Sequence, residues 1–151
     1  MIGVISDTHG LLRPEAIEAL CGAEHIIHAG DIGAAEILGK LATVAPVTAI
    51  RGNVDTAAWA SRLPETEVLE TDGISIYVLH DLAQLDLKLE AAGFEVVISG
   101  HSHVPTQETK NGVLYLNPGS AGPRRFKLPV SVARLVIREG KITAEILSLK
   151  V

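Results

Sequence analysis

The sequence contains few cysteine and aromatic residues. It contains one cysteine, Cys21, so no disulfide can form within the chain and a reducing compartment is expected. Large rings are scarce, with two Phe, two Tyr and one Trp, so the core must consist of Val, Ile, Leu and Ala. At 151 residues the chain is long enough to bury a sizeable core by itself, and we expect a single domain over residues 1–151.

Long apolar runs and basic clusters are also missing. The longest clearly apolar uncharged run, residues 41–50, is about half a membrane span and contains Pro46, so we expect no membrane partner. An acidic residue follows the first six positions, too early for a signal peptide, which favours a cytoplasmic location. The formal net charge is -5 and the only adjacent basic pair is Arg124-Arg125, which argues against a nucleic-acid partner.

Short β-branched runs and helical stretches alternate along the first two-thirds of the chain. The runs predict buried strands at residues 2–5, 25–28, 47–50, 74–79 and 96–98. Apolar spacing and the positions of proline and glycine predict helices at residues 14–21, 34–41 and 82–92. This alternation is typical of a layered α/β domain.

The last third of the chain has a different pattern. Residues 113–116, 130–137 and 142–149 are predicted strands, and Glu139-Gly140 is the predicted turn between the last two. We expect the three strands to form an antiparallel meander, either as a second sheet or as the edge of a mixed one.

Polar side chains come just after the carboxyl ends of five predicted strands. The seven that can bind a metal are Asp7, His9, Asp31, Asn53, His80, His101 and His103. Ligands bind beyond the carboxyl ends of strands in open α/β sheets, so these side chains are expected to meet in one small volume. Residues two apart in an extended segment point to the same side, which pairs Asp7 with His9 and His101 with His103. Taken singly, Asp7, His9, Asp31, Asn53 and His80 each have an ordinary structural explanation, such as a helix cap, a turn or a strand end. That all five explanations hold together is improbable.

The mixture of two carboxylates, one amide and four imidazoles indicates the kind of metal. Mixed nitrogen and oxygen ligands favour Mn, Fe, Zn, Ni or Co over Mg, Ca or structural Zn. Seven ligands are too many for one four-coordinate ion, whereas two ions sharing a bridging carboxylate use them all. Such a pair leaves a locally positive site in an acidic protein, and a positive site attracts a phosphate oxyanion.

With DTH, GD, GN, H and GHSH in this order, the chain resembles the calcineurin-like metallophosphoesterase superfamily. In length and in the NPGS at residues 117–120 it is most similar to the small, single-domain YfcE-type phosphodiesterases. The resemblance runs from Met1 to about Arg125 and implies an α/β fold, a four-layer α/β/β/α sandwich with two mixed sheets. It also implies a dinuclear metal-dependent phosphoesterase, in which a metal-bridging hydroxide attacks the phosphorus of a phosphodiester, with phosphomonoesters as a second substrate class.

The resemblance further assigns a role to each of the seven residues. The first metal is held by Asp7, His9 and His103, the second by Asn53, His80 and His101, and the bridge is Asp31. Asp31, Asn53 and His80 are expected to be catalytic, with Asn53 orienting the phosphoryl oxygens. The expected cofactor is two divalent transition metal ions, with manganese first and nickel, iron, zinc and cobalt as alternatives.

Two departures from the family pattern bear on the substrate. Larger relatives carry GNH, whose histidine is thought to protonate the leaving group, whereas this chain has GNVD and Val54 cannot donate a proton. Loss of a general acid costs about 10²-fold to 10⁴-fold with poor leaving groups, so activated aryl or nucleotide-like esters should react best. Many relatives read HGH where this chain has His80-Asp81, which alters the loop after that strand.

Several residues outside the seven have two interpretations. Arg51 and Arg124 either contact the substrate phosphate or are solvated surface residues. His28 lies in a predicted strand and is expected in the core or hydrogen-bonded to a ligand from behind. Residues 117–120 form a turn that the resemblance places beside the active site.

A rival to the enzyme is a non-catalytic interaction scaffold on the same fold, which the small subunit of the retromer coat resembles. That subunit lacks a complete ligand set, whereas every ligand position is filled here, which favours an enzyme acting on a small phosphate ester. A nuclease of the same superfamily is disfavoured by the acidic balance of the chain. A homo-oligomer is left open.

Overall fold

The computed structural model describes residues 1–85 and 92–151, and its ten strands form two five-stranded mixed sheets. The first sheet, in the order β10-β9-β1-β2-β3, consists of β1 (Ile2–Ile5), β2 (His25–His28), β3 (Val47–Ala49), β9 (Ser131–Arg138) and β10 (Lys141–Ser148). The second, in the order β4-β5-β6-β8-β7, consists of β4 (Thr66–Thr71), β5 (Ile74–Leu79), β6 (Val96–Ile98), β7 (Thr106–Lys110) and β8 (Val113–Asn117).

The strands that precede the metal motifs run parallel within each sheet. β1 pairs with β2 and β2 with β3, and Ile5 lies opposite His28 at the carboxyl ends. In the second sheet β5, β6 and β8 are parallel neighbours. Each sheet therefore collects the ends of several strands at one edge, which is where loops can converge on a ligand.

The main core lies between the two sheets. It is made of aliphatic side chains from both inner faces, including the fully buried Val4, Ile27, Ile76, Ile98 and Leu135. Burying each such side chain contributes roughly 1.5–3 kcal/mol, and a core of this kind needs no aromatic residue. The scarcity of large rings is thus compatible with a firmly packed centre.

Two helices cover the outer face of the first sheet. Helix α1 (Pro14–Leu20) begins with a proline, whose fixed φ suits the first helical turn, and helix α2 (Ala35–Ala42) follows β2. Their buried residues Leu20, Ile37 and Leu41 pack with Ile5 and Ile26 in a second core. None of the helices in the described part of the chain has the length and apolar character needed to cross a lipid bilayer.

A third cluster covers the outer face of the second sheet. Tyr77, Leu79, Val97 and Val113 are buried there, and Phe94 packs against Tyr77 with ring centroids 5.3 Å apart. Two sheets sharing one core, with helices on an outer face, confirm the predicted fold class.

Most predicted elements are present, and the last two strands pair antiparallel through the predicted turn at Glu139-Gly140, at the edge of a mixed sheet. The prediction that residues 113–116 belong to the same meander is wrong. The strand at Val113–Asn117 joins the second sheet beside β6, while β9 and β10 form the edge of the first sheet next to β1. Alternating apolar residues look the same whichever sheet they face, so the pattern does not choose the partner. The sequence also misses β4 and β7, because their exposed polar residues interrupt any apolar run.

The helix predicted at residues 82–92 falls largely outside the described residues. A 3-10 turn at Leu82–Gln84 occupies its start, and the Asp81 carboxylate accepts a hydrogen bond from the Ala83 N–H there. A second 3-10 turn, Ala58–Arg62, was not predicted.

Candidate metal centre

The loops after β1 and β6 bring one carboxylate against two imidazoles. Asp7 is fully buried, and its Oδ1 lies 3.2 Å from His103 Nε2 and 3.6 Å from His9 Nε2. The two imidazole nitrogens are 3.4 Å apart. The other carboxylate oxygen, Oδ2, accepts hydrogen bonds from Ser6 Oγ and the His101 N–H, so Oδ1 alone is directed at the histidines.

The loops after β2 and β5 add a second carboxylate and a third imidazole. Asp31 Oδ2 lies 3.1 Å from His80 Nε2 and 3.7 Å from His9 Nε2, and His80 Nε2 is also 3.9 Å from Asp7 Oδ1. Two groups of side chains, Asp7–His9–His103 and Asp7–Asp31–His80, each have their ligand atoms within 4.8 Å of one another. We call Asp7, His9, Asp31, His80 and His103 the buried half of the site.

Unpaired atoms in the buried half fit a cation. Within the described residues, Asp7 Oδ1, His80 Nε2 and His103 Nδ1 are buried without a hydrogen-bond partner. A buried polar atom left unpaired costs roughly 1–3 kcal/mol, so Asp7 Oδ1 and His80 Nε2, 3.9 Å apart within the cluster, require an explanation. His103 directs Nε2 at Asp7, and its unpaired Nδ1 is on the opposite side of the ring. Lone pairs from carboxylates and imidazoles converging on a small volume are what a divalent transition metal needs.

The hydrogen bonding of His80 also indicates a cation between its ring and the Asp31 carboxylate. Its Nδ1–H donates to the Ala29 carbonyl over 2.7 Å, so a neutral His80 presents the lone pair of Nε2 to the Asp31 carboxylate. Facing lone pairs repel unless a proton or a metal ion lies between them. Burial opposes protonation, yet the contacts with Asp31 and the Ala29 carbonyl raise the pKa of His80 overall.

The two remaining predicted ligands lie on an exposed side, which we call the open half. Asn53 is exposed, and the side chain of His101 is 45% exposed. The His101 ring meets the His80 ring edge-on with centroids 5.3 Å apart, and its Nε2 lies 3.8 Å from Asp81 Oδ2. Asn53 lines the same groove as His80, and His101 contacts the His80 ring, so both lie beside the five residues of the buried half.

A groove extends from the open half across the surface. It has a volume of about 840 Å³, and its lining includes Asn53, His80, Arg51, Tyr77 and Gln84. Its position beside two predicted ligands gives space for part of a substrate next to the metal centre.

The backbone at the ligands is in an uncommon conformation. Five of the seven have positive φ: Asp7 at 55°, His9 at 46°, Asp31 at 55°, His101 at 71° and His103 at 63°. Residues other than glycine rarely adopt this region, and strain of this kind is concentrated at functional sites. The prediction that Asp7 and His9, and His101 and His103, lie in extended segments is wrong, and His101 and His103 in fact point into different halves. Tight left-handed turns, which an alternation rule cannot foresee, direct these side chains.

Two glycines let these turns approach each other. A Cβ on Gly52 would collide with Asp31, and a Cβ on Gly100 would collide with Ser6 and the Asp7 carboxylate. Any larger residue at either position would displace a predicted ligand.

Asp55 joins the two halves and was missed by the sequence reasoning. Its buried carboxylate accepts hydrogen bonds from the backbone N–H groups of Ile32 at 3.1 Å, Gly33 at 3.0 Å and Gly52 at 2.8 Å. The loop of Asp31 and the loop of Asn53 are therefore held together by one side chain. The only signal was the acid that ends the GNVD motif.

His28 supports the buried half from behind. Its Nδ1 accepts from the Gly30 N–H, and Thr8 Oγ1 donates to the Ile32 carbonyl, so the Nε2–H of His28 must donate to Thr8 Oγ1, 3.0 Å away. This fixes a neutral tautomer, and burial lowers the pKa of His28 to about 3. The expectation of a core residue near the ligands is confirmed, although the contact is with Thr8.

Residues 117–120 brace the loops of both sheets. The Asn117 side-chain amide donates to the Gly100 carbonyl over 2.9 Å, and Ser120 Oγ donates to the Asp7 carbonyl over 2.9 Å. The turn predicted beside the active site therefore fixes the backbone of two ligand-bearing loops.

The two arginines proposed as substrate contacts lie in different surroundings. Arg51 lines the groove and pairs with Glu65 at 3.2 Å. Arg124 is exposed, and its guanidinium donates to the Val151 carbonyl at 3.5 Å. The charge of the neighbouring Arg125 acts on the site, because burial lowers the pKa of His103 and the Arg125 guanidinium lowers it further.

Comparison with known proteins identifies the family. The calcineurin-like phosphoesterase superfamily domain matches residues 1–140. A probable metallophosphoesterase of Methanocaldococcus jannaschii is 36% identical over 99% of this chain and 82% of its own length. The structure of an archaeal phosphodiesterase has a TM-score of 0.80 at 24% identity, covering 97% of this chain and 99% of that one. Vps29 of Entamoeba histolytica, solved with zinc, has a TM-score of 0.77 at 22% identity, covering 97% and 98%. The chain therefore belongs to the calcineurin-like phosphoesterase superfamily, as the order of its motifs predicts.

Proposed function

We propose that this chain is a metal-dependent phosphodiesterase whose reaction takes place at the buried half and the adjoining groove. The observation that carries the proposal is the Asp7 carboxylate, whose unpaired Oδ1 is fully buried and faces three imidazole nitrogens at 3.2–3.9 Å. A packed core has no use for such a cluster, because each unpaired polar atom lowers the stability of the fold. A hydrolase has a use for it, because the cluster can bind the metals that activate a phosphate ester.

The donor set fits two divalent ions, with manganese as our first choice. Asp7, His9 and His103 would hold one ion. Asp31 and His80, with Asn53 and His101 from the open half, would hold the other, and Asp31 would bridge the two. When bound, the ions polarise the phosphoryl oxygens and lower the pKa of a coordinated water, which supplies a nucleophile at neutral pH.

The residues of this chain contribute positioning and charge. Asn53 projects from the rim of the groove, where its amide can donate a hydrogen bond to a phosphoryl oxygen. The Ala29 carbonyl holds the His80 ring in the orientation that aims Nε2 at Asp31. In the hydrolysis a water oxygen bonds to phosphorus, the P–O bond to one alcohol breaks, and the water's proton ends on that alcohol or in solvent.

The surroundings favour a diester with a good leaving group. A groove of about 840 Å³ on the side of Asn53 and His80 leaves room for one organic arm of the substrate. Val54 is 49% exposed and its N–H is used by Asp31 Oδ1, so it supplies no proton to a departing alcohol. We therefore expect aryl and nucleotide-like esters to react faster than simple alkyl esters.

The experiment that tests this function starts from chelator-treated protein. Mn²⁺, Ni²⁺, Zn²⁺ or Mg²⁺ is added back, and hydrolysis of bis-p-nitrophenyl phosphate is compared with that of p-nitrophenyl phosphate. We expect turnover only with a transition metal, and faster turnover of the diester. A folded protein that hydrolyses neither ester with any metal would contradict the proposal.

That negative result would favour the interaction scaffold instead. The structural likeness to Vps29 supports the scaffold, whereas the complete set of seven ligand residues supports the enzyme. The two proposals differ in a measurable way, because a scaffold needs neither the metals nor Asn53.

A further inference from the structure

One exposed loop near the metal centre combines an aromatic ring with three cations. Residues 124–127 read Arg-Arg-Phe-Lys, and all four are exposed. They hold three of the 13 Lys and Arg residues of a chain whose net charge is -5. We call residues 124–128 the basic loop.

The ring of Phe126 is held away from the protein. It is 88% exposed, whereas Val54 and Val68, which come next among the large hydrophobic residues of the described ranges, are 49% exposed. Phe126 has a φ of 55°, and the Leu128 N–H donates to the Arg125 carbonyl at 3.1 Å to close the turn around it. Bulky side chains rarely adopt this conformation, and both the exposure and the strain oppose stability. A ligand that covers the ring would give a reason for both.

The basic loop is attached directly to the backbone of the metal centre. Gly122, just before it, packs so closely that a Cβ would collide with the Thr8 carbonyl, and Ser120 Oγ donates to the Asp7 carbonyl. Phe126 is four residues beyond Gly122, so their Cα atoms lie within about 14 Å of each other, and the turn shortens this distance. Arg125 is near enough for its charge to act on His103.

The cations of the basic loop are available to an anionic ligand. In the described part of the chain, the ion pairs that do not involve histidine are Met1–Glu24, Arg51–Glu65 and Lys110–Glu108. Arg125 and Lys127 thus have no carboxylate partner among the described residues. An exposed aromatic face between two such cations suits a ligand with a flat ring next to a phosphate.

We propose that the basic loop binds the non-leaving arm of the substrate and that this arm is a nucleoside, with its base stacked on Phe126. Arg125 and Lys127 then hold the negative charge of the phosphate as it enters the metal centre. The inference rests on the proposed phosphodiesterase function and names its substrate class. A polynucleotide fits less well, because the acidic remainder of the protein repels a long polyanion.

Two substrates with the same leaving group test the proposal. Thymidine 5′-(p-nitrophenyl phosphate) carries a base on its non-leaving arm, and ethyl p-nitrophenyl phosphate carries none. We expect Phe126→Ala to lower kcat/KM on the thymidine ester about tenfold more than on the ethyl ester, mainly through KM. Phe126→Trp should restore the preference, and Phe126→Leu, which keeps apolar area without a ring, should not.

Matched controls separate binding from folding. Val68→Ala removes an exposed apolar side chain from β4, in the second sheet. It should leave the ratio of kcat/KM on the thymidine ester to kcat/KM on the ethyl ester unchanged. Arg125→Ala should lower kcat/KM on both esters, because both carry the phosphate that Arg125 is proposed to hold. An equal loss on the two esters in Phe126→Ala, or no loss on either, would overturn the proposal.

A binding measurement keeps the proposal testable if the enzyme activity itself fails. Saturation-transfer NMR of chelator-treated protein with thymidine 5′-monophosphate should show the strongest transfer to the base protons, and Phe126→Ala should remove it. Transfer in the absence of any turnover would refute the phosphodiesterase and leave the nucleoside site. Tighter, steeply salt-dependent binding of an oligothymidylate would overturn it in favour of a nucleic-acid site.

Discussion

The two halves of the metal site differ in how far the fold fixes them in advance. In the buried half, Asp7, Asp31 and His80 are each at most 5% exposed and their loops are hydrogen-bonded to neighbouring backbone. In the open half, Asn53 is exposed and the His101 side chain is 45% exposed. Under the proposed function, the buried ligands would hold the ions in fixed positions, whereas the accessible Asn53 and His101 would both complete the second ion and meet a substrate that must enter and leave.

The largest effect is expected from removing the carboxylate of Asp7, which belongs to both clusters of the buried half. We expect Asp7→Asn to lower turnover about 10³-fold or more, because both clusters use Asp7 and the site acts as a unit. Mn²⁺ should raise the melting temperature of the wild type and no longer raise that of the variant. Metal content by plasma mass spectrometry checks the cause.

Asp72→Asn is a matched control for this change. Asp72 also has positive φ, at 50°, but it is exposed in the turn after β4, so neither metal content nor turnover should change. Full metal content in Asp7→Asn would show that the buried half does not bind the ions.

A second test cuts the link between the halves. Asp55→Ala leaves three backbone N–H groups without their acceptor, and the buried one at Ile32 cannot turn to solvent. We expect the free energy of unfolding to fall by roughly 2–4 kcal/mol, and KM to rise because Asn53 is no longer held beside Asp31. Urea denaturation of the chelated protein measures the first effect. An unchanged stability would mean that the two loops hold their places without Asp55.

Removing a residue of the open half should be milder. Asn53→Ala is expected to leave the fold intact and to lower turnover about 10²-fold, as for loss of one donor to a developing anion. His101→Ala should likewise remove most turnover while Asp7, His9 and His103 still retain one ion. The readout is the number of metal equivalents per chain beside the rate. Near-normal rates in both variants would disprove the assignment of the open half.

The smallest effect concerns His28, behind the buried half. Its pKa in the folded protein is about 3, below its ordinary value of 6.5, so the unfolded chain binds a proton that the folded one excludes. Stability should therefore fall by about 1.4 kcal/mol per pH unit as the pH drops from about 6 to 4. Urea denaturation of chelated protein across this range checks the slope.

His25 offers the control for that slope. Burial lowers its pKa too, but it is half-buried, so His25→Gln should keep most of the wild-type slope. His28→Gln should flatten it. Equal slopes in His28→Gln and the wild type would show that another group causes the acid sensitivity.

The sequence signal for the residues of the buried half is local, and the structure brings their side chains together, while their role as ligands stays a prediction. His80 follows the strand Ile74–Leu79 directly, and Asp7 and Asp31 come two and three residues after the strands Ile2–Ile5 and His25–His28. Parallel strands ending at one edge do the rest. The pattern singles out seven candidates, and the structure clusters Asp7, His9, Asp31, His80 and His103 among them.

What the sequence does not predict depends on contacts between distant segments. The carboxylate of Asp55 bonds to residues more than 20 positions away, and no pattern around Asp55 encodes that partner. The same holds for the sheet that Val113–Asn117 joins, since an apolar strand fits either sheet. The division into a buried and an open half is likewise a matter of packing, which residue types alone do not reveal.

The place of β1 in its sheet has a consequence for how the protein is made. β1 is paired with β2 on one side and with β9 on the other, and Ser120 holds the Asp7 carbonyl. During synthesis, β1 and Asp7 therefore lack these later partners until residues as far as β9 have left the ribosome. A nascent chain that lacks β9 cannot hold β1 on both sides, so we expect it not to bind metal at the proposed site.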